Sequence, residues 1–263
     1  MAFRLRCVSE LYRELGKFDA VVEFTELAVR EFIQEAENGG KFDQFITERS
    51  KKHKIRVDAV DQSIYRSRIS QSYILSVYQR AELFIHEFRI ECNDLKDTSW
   101  KLDDTKDSIL IKTIRKISAY NPAVLKIGEH NLALFDYYRV IRNKYSHDRI
   151  EETKVEKAFA KISNYKKEIL ENYPGLNAPN DFNNISFDDF ILFTRVIKDI
   201  AYHLSNIIAP SDEEVKLYYL RKNFYSELNQ NPARKANALK AHMRSNFGIE
   251  TLEAEKILAL MCH

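Results

Sequence analysis

Six glycines and five prolines in 263 residues constrain this chain more than any other feature of it. Ordinary usage would supply about thirty of them. Sheets consume them: hairpins take glycine where φ is positive, and barrels and sandwiches need turns at short intervals. Leu, Ile, Lys, Glu and Ala are plentiful instead, and most of these lose little on entering a helix. The shortage of turn formers argues against an all-β or a parallel α/β fold, and an all-α fold is expected. With 44% hydrophobic and 30% charged residues, the chain is globular in composition. It is long enough to bury a sizeable core in one large domain or two small ones.

Apolar spacing of three and four marks the helices. Residues 18–37 carry one such stripe, which Gly39 and Gly40 should end, and a short helix around Phe42, Phe45 and Ile46 follows. The most basic run, residues 49–56, reads as a solvated loop. Residues 57–93 form the longest periodic segment, a central core helix or a broken pair, with Tyr73, Val77, Ala81, Phe84, Ile85 and Phe88 inward. Residues 96–107 read as an exposed loop holding the only tryptophan, Trp100, and residues 108–117 as a short helix. Asn121-Pro122 signals a turn. A helix from about 128–130 then places Leu132, Phe135, Tyr138 and Ile141 inward.

A charged helix is expected over 151–172, and residues 173–186 read as a surface connector. Ser186 with Asp189, and Ser211 with Glu214, have the spacing of capping boxes opening two further helices, the first running to 209 and the second to about 230. Pro232 opens another helix, Gly248 ends it, and residues 251–261 form the last. These final helices faintly resemble a helix-turn-helix, but Lys256 is the only basic residue of the last one, and an accessory hairpin is preferred.

Net charge is +2, which lacks the basic footprint of a duplex binder yet permits a small cleft gripping a few phosphates. Cys7, Cys92 and Cys262 offer neither a disulfide framework nor a zinc spacing. No metal or cofactor site is read. No secretory leader and no stretch of membrane-spanning length is seen, so a cytoplasmic protein without membrane attachment is expected.

Chemistry concentrates in residues 137–148, YYRVIRNKYSHD. Arg142 offers a planar fork of donors for phosphate oxygens, His147 exchanges a proton near neutrality, and Asn143 can hydrogen-bond to either. Arg80 and His86 form a decoy, since six helical steps turn them about 240° apart. Arg142 and His147 lie five steps apart, about 140° on a regular helix. They share a cleft only where the helix loosens or ends, or where a cleft is lined from two sides. Asn143, Tyr145, Ser146 and Asp148 are mediocre helix formers, which permits the first. The plain alternative is that Arg142 and His147 only support the last carbonyls of a helix.

Arg142-Asn143-x-x-x-His147, at the end of an aromatic and aliphatic helical run, resembles the Arg-x4-6-His motif of the HEPN superfamily. Residues 72–88, SYILSVYQRAELFIHEF, are similar to the earlier HEPN helix whose acidic residue faces the motif arginine, and Glu82 is the best match. The resemblance covers residues 57–209 and implies a HEPN-like helical bundle there. Residues 1–56 would then be an N-terminal helical extension packed on that core, and 210–263 a C-terminal accessory region.

The resemblance implies a metal-independent endoribonuclease in which the RNA 2'-hydroxyl attacks the scissile phosphate. His147 would be the acid-base residue, Arg142 would stabilise the transition state, Asn143 would orient them, and Glu82 would hold Arg142. It further implies a homodimer with a composite active site, an RNA substrate, a toxin or antiviral role, and an antitoxin or regulatory protein as a further partner. The alternative within the same resemblance is a non-catalytic module that binds a nucleotide, RNA or a protein.

Overall fold

The computed structural model of the chain describes residues 3–39, 42–58, 64–118, 120–147, 151–224 and 231–261. Cys262, Asp148 and Gly40 lie outside the described residues. Among those described there are twelve α-helices and no strand, as the scarcity of turn formers predicts. They are α1 (Arg6–Asn38), α2 (Phe42–His53), α3 (Tyr65–Lys96), α4 (Ile109–Ile117), α5 (Tyr120–Ile127) and α6 (Glu129–Ser146). There follow α7 (Glu152–Ser163), α8 (Lys166–Asn172), α9 (Phe187–Ile207), α10 (Asp212–Arg221), α11 (Pro232–Phe247) and α12 (Thr251–Met261). None of the described helices is long and apolar enough to cross a membrane.

α3 is the axis of the molecule, a rod of about 48 Å at 1.5 Å per residue. Its stripe of Tyr73, Ile74, Val77, Ala81, Phe84, Ile85 and Phe88 is buried against α1, α6 and α9. Asp97 ends it in the left-handed conformation at φ 53°, its N–H bonded to the Asn93 carbonyl. α9 is apolar round most of its circumference, and Phe190, Phe193, Val196, Ile197 and Ile200 are buried, as a helix covered on several sides requires. One hydrophobic cluster runs from Leu5 through these helices to Ile257.

Several segments differ from the sequence reading. α1 begins at Arg6, well ahead of residue 18, because Cys7, Val8, Leu11 and Leu15 extend its buried stripe. Its start is fixed from elsewhere in the chain: the Cys7 N–H donates to Glu91 Oε2 at 3.1 Å and the Leu5 N–H to Ser205 Oγ at 3.1 Å. Pro122 lies in the first turn of α5 rather than in a free turn, where a missing N–H costs no helical bond. The helix expected over 151–172 is split into α7 and α8. Trp100 is packed against the core, and its carbonyl accepts from Asn93 Nδ2 at 3.1 Å.

The loop between α8 and α9 also differs: it is an anchored strap rather than a surface connector. Tyr173 is buried, its hydroxyl 2.6 Å from Asp199 Oδ2 and 2.8 Å from Asn131 Oδ1. The Phe182 carbonyl accepts from Gln71 Nε2 at 2.6 Å, and the Asn180 carbonyl accepts from the Tyr137 hydroxyl. The fully buried Asp189 gathers the Tyr138 hydroxyl at 2.9 Å, the Asn180 N–H at 2.9 Å, Asn180 Nδ2 at 2.8 Å and the Ser186 N–H at 2.9 Å. Burial pushes its carboxyl pKa up, and these hydrogen bonds oppose that rise. The capping boxes expected at Ser186/Asp189 and Ser211/Glu214 are both present. α10, however, stops at Arg221.

Candidate functional site

α6 sets the position of the motif. It opens at Gly128, whose φ of 89° is a conformation L side chains rarely adopt, and a Cβ there would come within 2.5 Å of the His130 ring. Ala133, Leu134, Phe135, Tyr137, Tyr138 and Ile141 bury one face. The rings of Tyr78, Phe135, Tyr138 and Phe193 join α3, α6 and α9: Tyr78 and Phe135 are 5.5 Å apart and Tyr138 and Phe193 4.6 Å. The Tyr138 hydroxyl is held by Asp189 and that of the adjacent Tyr137 by the strap, which fixes α6 along its axis.

Arg142 lies directly on that aromatic floor. Its guanidinium sits 4.8 Å from the centroid of Tyr78, a cation–π arrangement. Arg142 Nη2 donates to Glu82 Oε2 at 2.8 Å, and Nη1 donates to Asn143 Oδ1 at 2.7 Å. The Nε–H is buried with no hydrogen-bond partner. The fork is therefore held by a ring below, a carboxylate on the neighbouring helix and an amide on its own, and each terminal nitrogen carries a second proton of the kind that suits an anion. The side chain of Arg142 is 24% exposed and that of Glu82 39%, so the group borders solvent. Burial, then the Glu82 charge, push the Tyr78 hydroxyl pKa far up, and the ring under the cation stays neutral. One turn earlier, Arg139 pairs with Asp136 at 2.7 Å.

His147 stands at the rim. The helix ends at Ser146, and His147 is the first residue outside it, extended at φ −142° and ψ 108°, its N–H donating to the Asn143 carbonyl at 2.9 Å. Its side chain is exposed. The structure thus brings Glu82, Arg142 and Asn143 into one bonded group and leaves His147 beside it, past a helix end of the kind the five-residue spacing requires. No hydrogen bond joins His147 to Arg142 within one chain. The decoy separates as its spacing predicts: Arg80 turns to Glu14 at 3.6 Å, and His86 lies 3.2 Å from Arg89. His203 is half-buried, and burial lowers its pKa.

Tyr78 was not singled out by the sequence reading. The signal was available, because Tyr78 stands four residues before Glu82 and hence on the same face of α3. Among the described residues no three His, Cys, Asp or Glu side chains gather where they would hold a metal ion. Comparison with known proteins adds no relative: no family model, curated protein or solved structure matches this chain.

Proposed function

We propose that this chain is a HEPN-type endoribonuclease that cleaves RNA through attack of its own 2'-hydroxyl, with Arg142 and His147 as its reactive pair. The observation that carries the reading is the bonded group of Glu82, Arg142 and Asn143. Two residues sixty positions apart, matched to the family on separate helices, meet at 2.8 Å. A guanidinium fixed on three sides and open on the fourth is a preplaced cation for charge growing on a phosphorane, and it requires no reorganisation as that charge appears. His147, whose side chain is exposed at the helix end, is free to exchange protons with the attacking or leaving oxygen. In a homodimer the partner subunit would complete the cleft, each copy lining one side of the phosphodiester.

The test is cleavage of a structured RNA by purified protein in excess EDTA. Activity should persist, leave a 2',3'-cyclic phosphate, and vanish in His147→Ala. Cleavage that stops with EDTA would place the chemistry on a metal and remove His147 and Arg142 from the central role. RNA binding without cleavage, unchanged by His147→Ala, would instead make the site a binding module.

A further inference from the structure

α3 carries a row of polar side chains away from its buried stripe. His86, Arg89 and Asn93 stand four, seven and eleven residues after Glu82, which places all three within about 40° of it round the helix. His86 is exposed and lies 3.2 Å from Arg89. Beyond it the row enters a cleft of about 980 Å³ bounded by the end of α3, the loop that follows it, α10 and α11. Arg89, Trp100, Lys101, Tyr218, His242 and Asn246 are among its walls. At 1.5 Å per residue, Arg89 is about 10 Å along α3 from Glu82, the carboxylate that anchors the arginine fork.

The chemistry of the walls selects the ligand. Each carboxylate lining the cleft is already matched: Glu91 by Arg6 and the Cys7 N–H, Asp94 by Lys222 and the Tyr218 hydroxyl, and Asp97 by Arg221. Among the described residues Lys101 is exposed with no partner, and Arg89 meets only His86. Two cations are thus left over. Tyr218 already has Arg221 and Lys222 near its ring, at 5.7 and 5.9 Å from the centroid. Trp100, the only tryptophan, is half-buried, and the bond from Asn93 to its carbonyl fixes its loop at the cleft. An aromatic ring beside unmatched cations suits a single nucleic-acid strand, because the ring takes a base and the cations take its phosphates.

We propose that this cleft holds the RNA strand flanking the reacting phosphate, with the backbone running from the Arg142 fork over His86 to Arg89 and Lys101 and a base stacked on Trp100. The inference rests on the reading of Arg142 as the residue that faces a phosphodiester, and it adds a second foothold to that site. One face of α3 then serves both: Glu82 sets the fork, and the following turns carry the strand away from it.

Tryptophan fluorescence of the full chain tests it, since Trp100 is the sole emitter of its kind. The probe is a 2'-O-methyl RNA strand of about eight nucleotides, within the span of single-stranded sites, whose blocked 2'-oxygen cannot attack. It is expected to quench Trp100 saturably. Arg89→Ala with Lys101→Ala should leave the urea midpoint of unfolding nearly unchanged. It should weaken the strand about tenfold and lower the slope of log K against log salt by about 1.4, two phosphates at about 0.7 each. Trp100→Phe should retain binding and Trp100→Leu weaken it about tenfold, read by anisotropy of an end-labelled strand. A strand that binds without quenching Trp100, or whose affinity and salt slope ignore Arg89 and Lys101, takes another path and overturns the proposal, as does one that fails to bind at about 100 µM. Arg142→Ala should also weaken the strand; quenching indifferent to Arg142 would make the cleft a separate site and overturn the path as well. Because the probe is not cleaved, quenching in a protein that leaves natural RNA intact in EDTA would sink the nuclease reading alone.

Discussion

Removing the Asp189 carboxylate is the perturbation whose cost is best determined by the structure. Five donors converge on it: the Tyr138 hydroxyl, the N–H and side-chain amide of Asn180, and the N–H and hydroxyl of Ser186. Asn180 is partly exposed, so water can replace some of what its groups lose, whereas Tyr138 is fully buried and finds no substitute. Asp189→Ala therefore leaves one buried hydroxyl unsatisfied, at about 1 to 3 kcal/mol. It also removes a capping box, at about 1 kcal/mol, and frees the strap. Together these come to about 2 to 4 kcal/mol, overlapping the loss on breaking a buried charged network from one side. For a chain of this size that corresponds to a fall in melting temperature of roughly 4 to 16 °C. Trp100, the only tryptophan and packed on the core, provides a fluorescence signal for urea unfolding, with far-UV circular dichroism as the check on two-state behaviour. Tyr138→Phe alone should cost about 1.5 to 3 kcal/mol, as a hydrogen bond to a charged group does. The double variant should fall short of the sum by at least about 1 kcal/mol, because both changes break one contact. A loss below about 1 kcal/mol for Asp189→Ala at unchanged m-value, or strict additivity in the cycle, would refute the argument that this carboxylate clamps α6 to the strap.

Glu82→Gln should leave the unfolding midpoint nearly unchanged, within about 1 kcal/mol, because the pair it breaks borders solvent. If the nuclease reading holds, it should nevertheless slow RNA cleavage roughly ten- to hundredfold by loosening the Arg142 fork, and Glu82→Ala should be worse than Gln. His130, His203 and His242 are half-buried, and burial lowers the pKa of each below the usual 6.5. A depressed histidine pKa means that the unfolded chain binds more protons. Their contribution to stability is therefore complete above pH 6.5 and is lost as pH falls through the folded values. Urea midpoints should drop between pH 7.5 and 5.5, and His130→Gln should reduce that drop; a midpoint that rises on acidification would contradict the assignment.

Much of the fold was legible because its signals are local. Ser186 and Asp189, Ser211 and Glu214, and Gly248 declare helix ends within four residues, and α9, α11 and α12 follow directly from them and from apolar spacing, whereas α3 was read in its buried middle but starts at Tyr65, not at 57. Pro122 misleads because the same residue that breaks a helix interior is at home in a first turn. The strap could not be read, since Asn180 and Asp189 are ordinary loop and cap residues until folding places Tyr137 and Tyr138 against them. At the site, Glu82 was matched only through the family resemblance. Spacing along the chain says nothing about two helices meeting sixty residues apart, and the stacking of Arg142 on Tyr78 follows from that meeting.

α3 carries more than its own burial. Along its length it meets the strap at Gln71, the candidate site at Tyr78 and Glu82, the opening of α1 at Glu91 and the C-terminal helices at Lys96, which pairs with Glu214 at 2.8 Å. One helix of 32 residues thus joins four distant parts of the chain, and any change that tilts it would move the carboxylate anchor of the arginine fork directly.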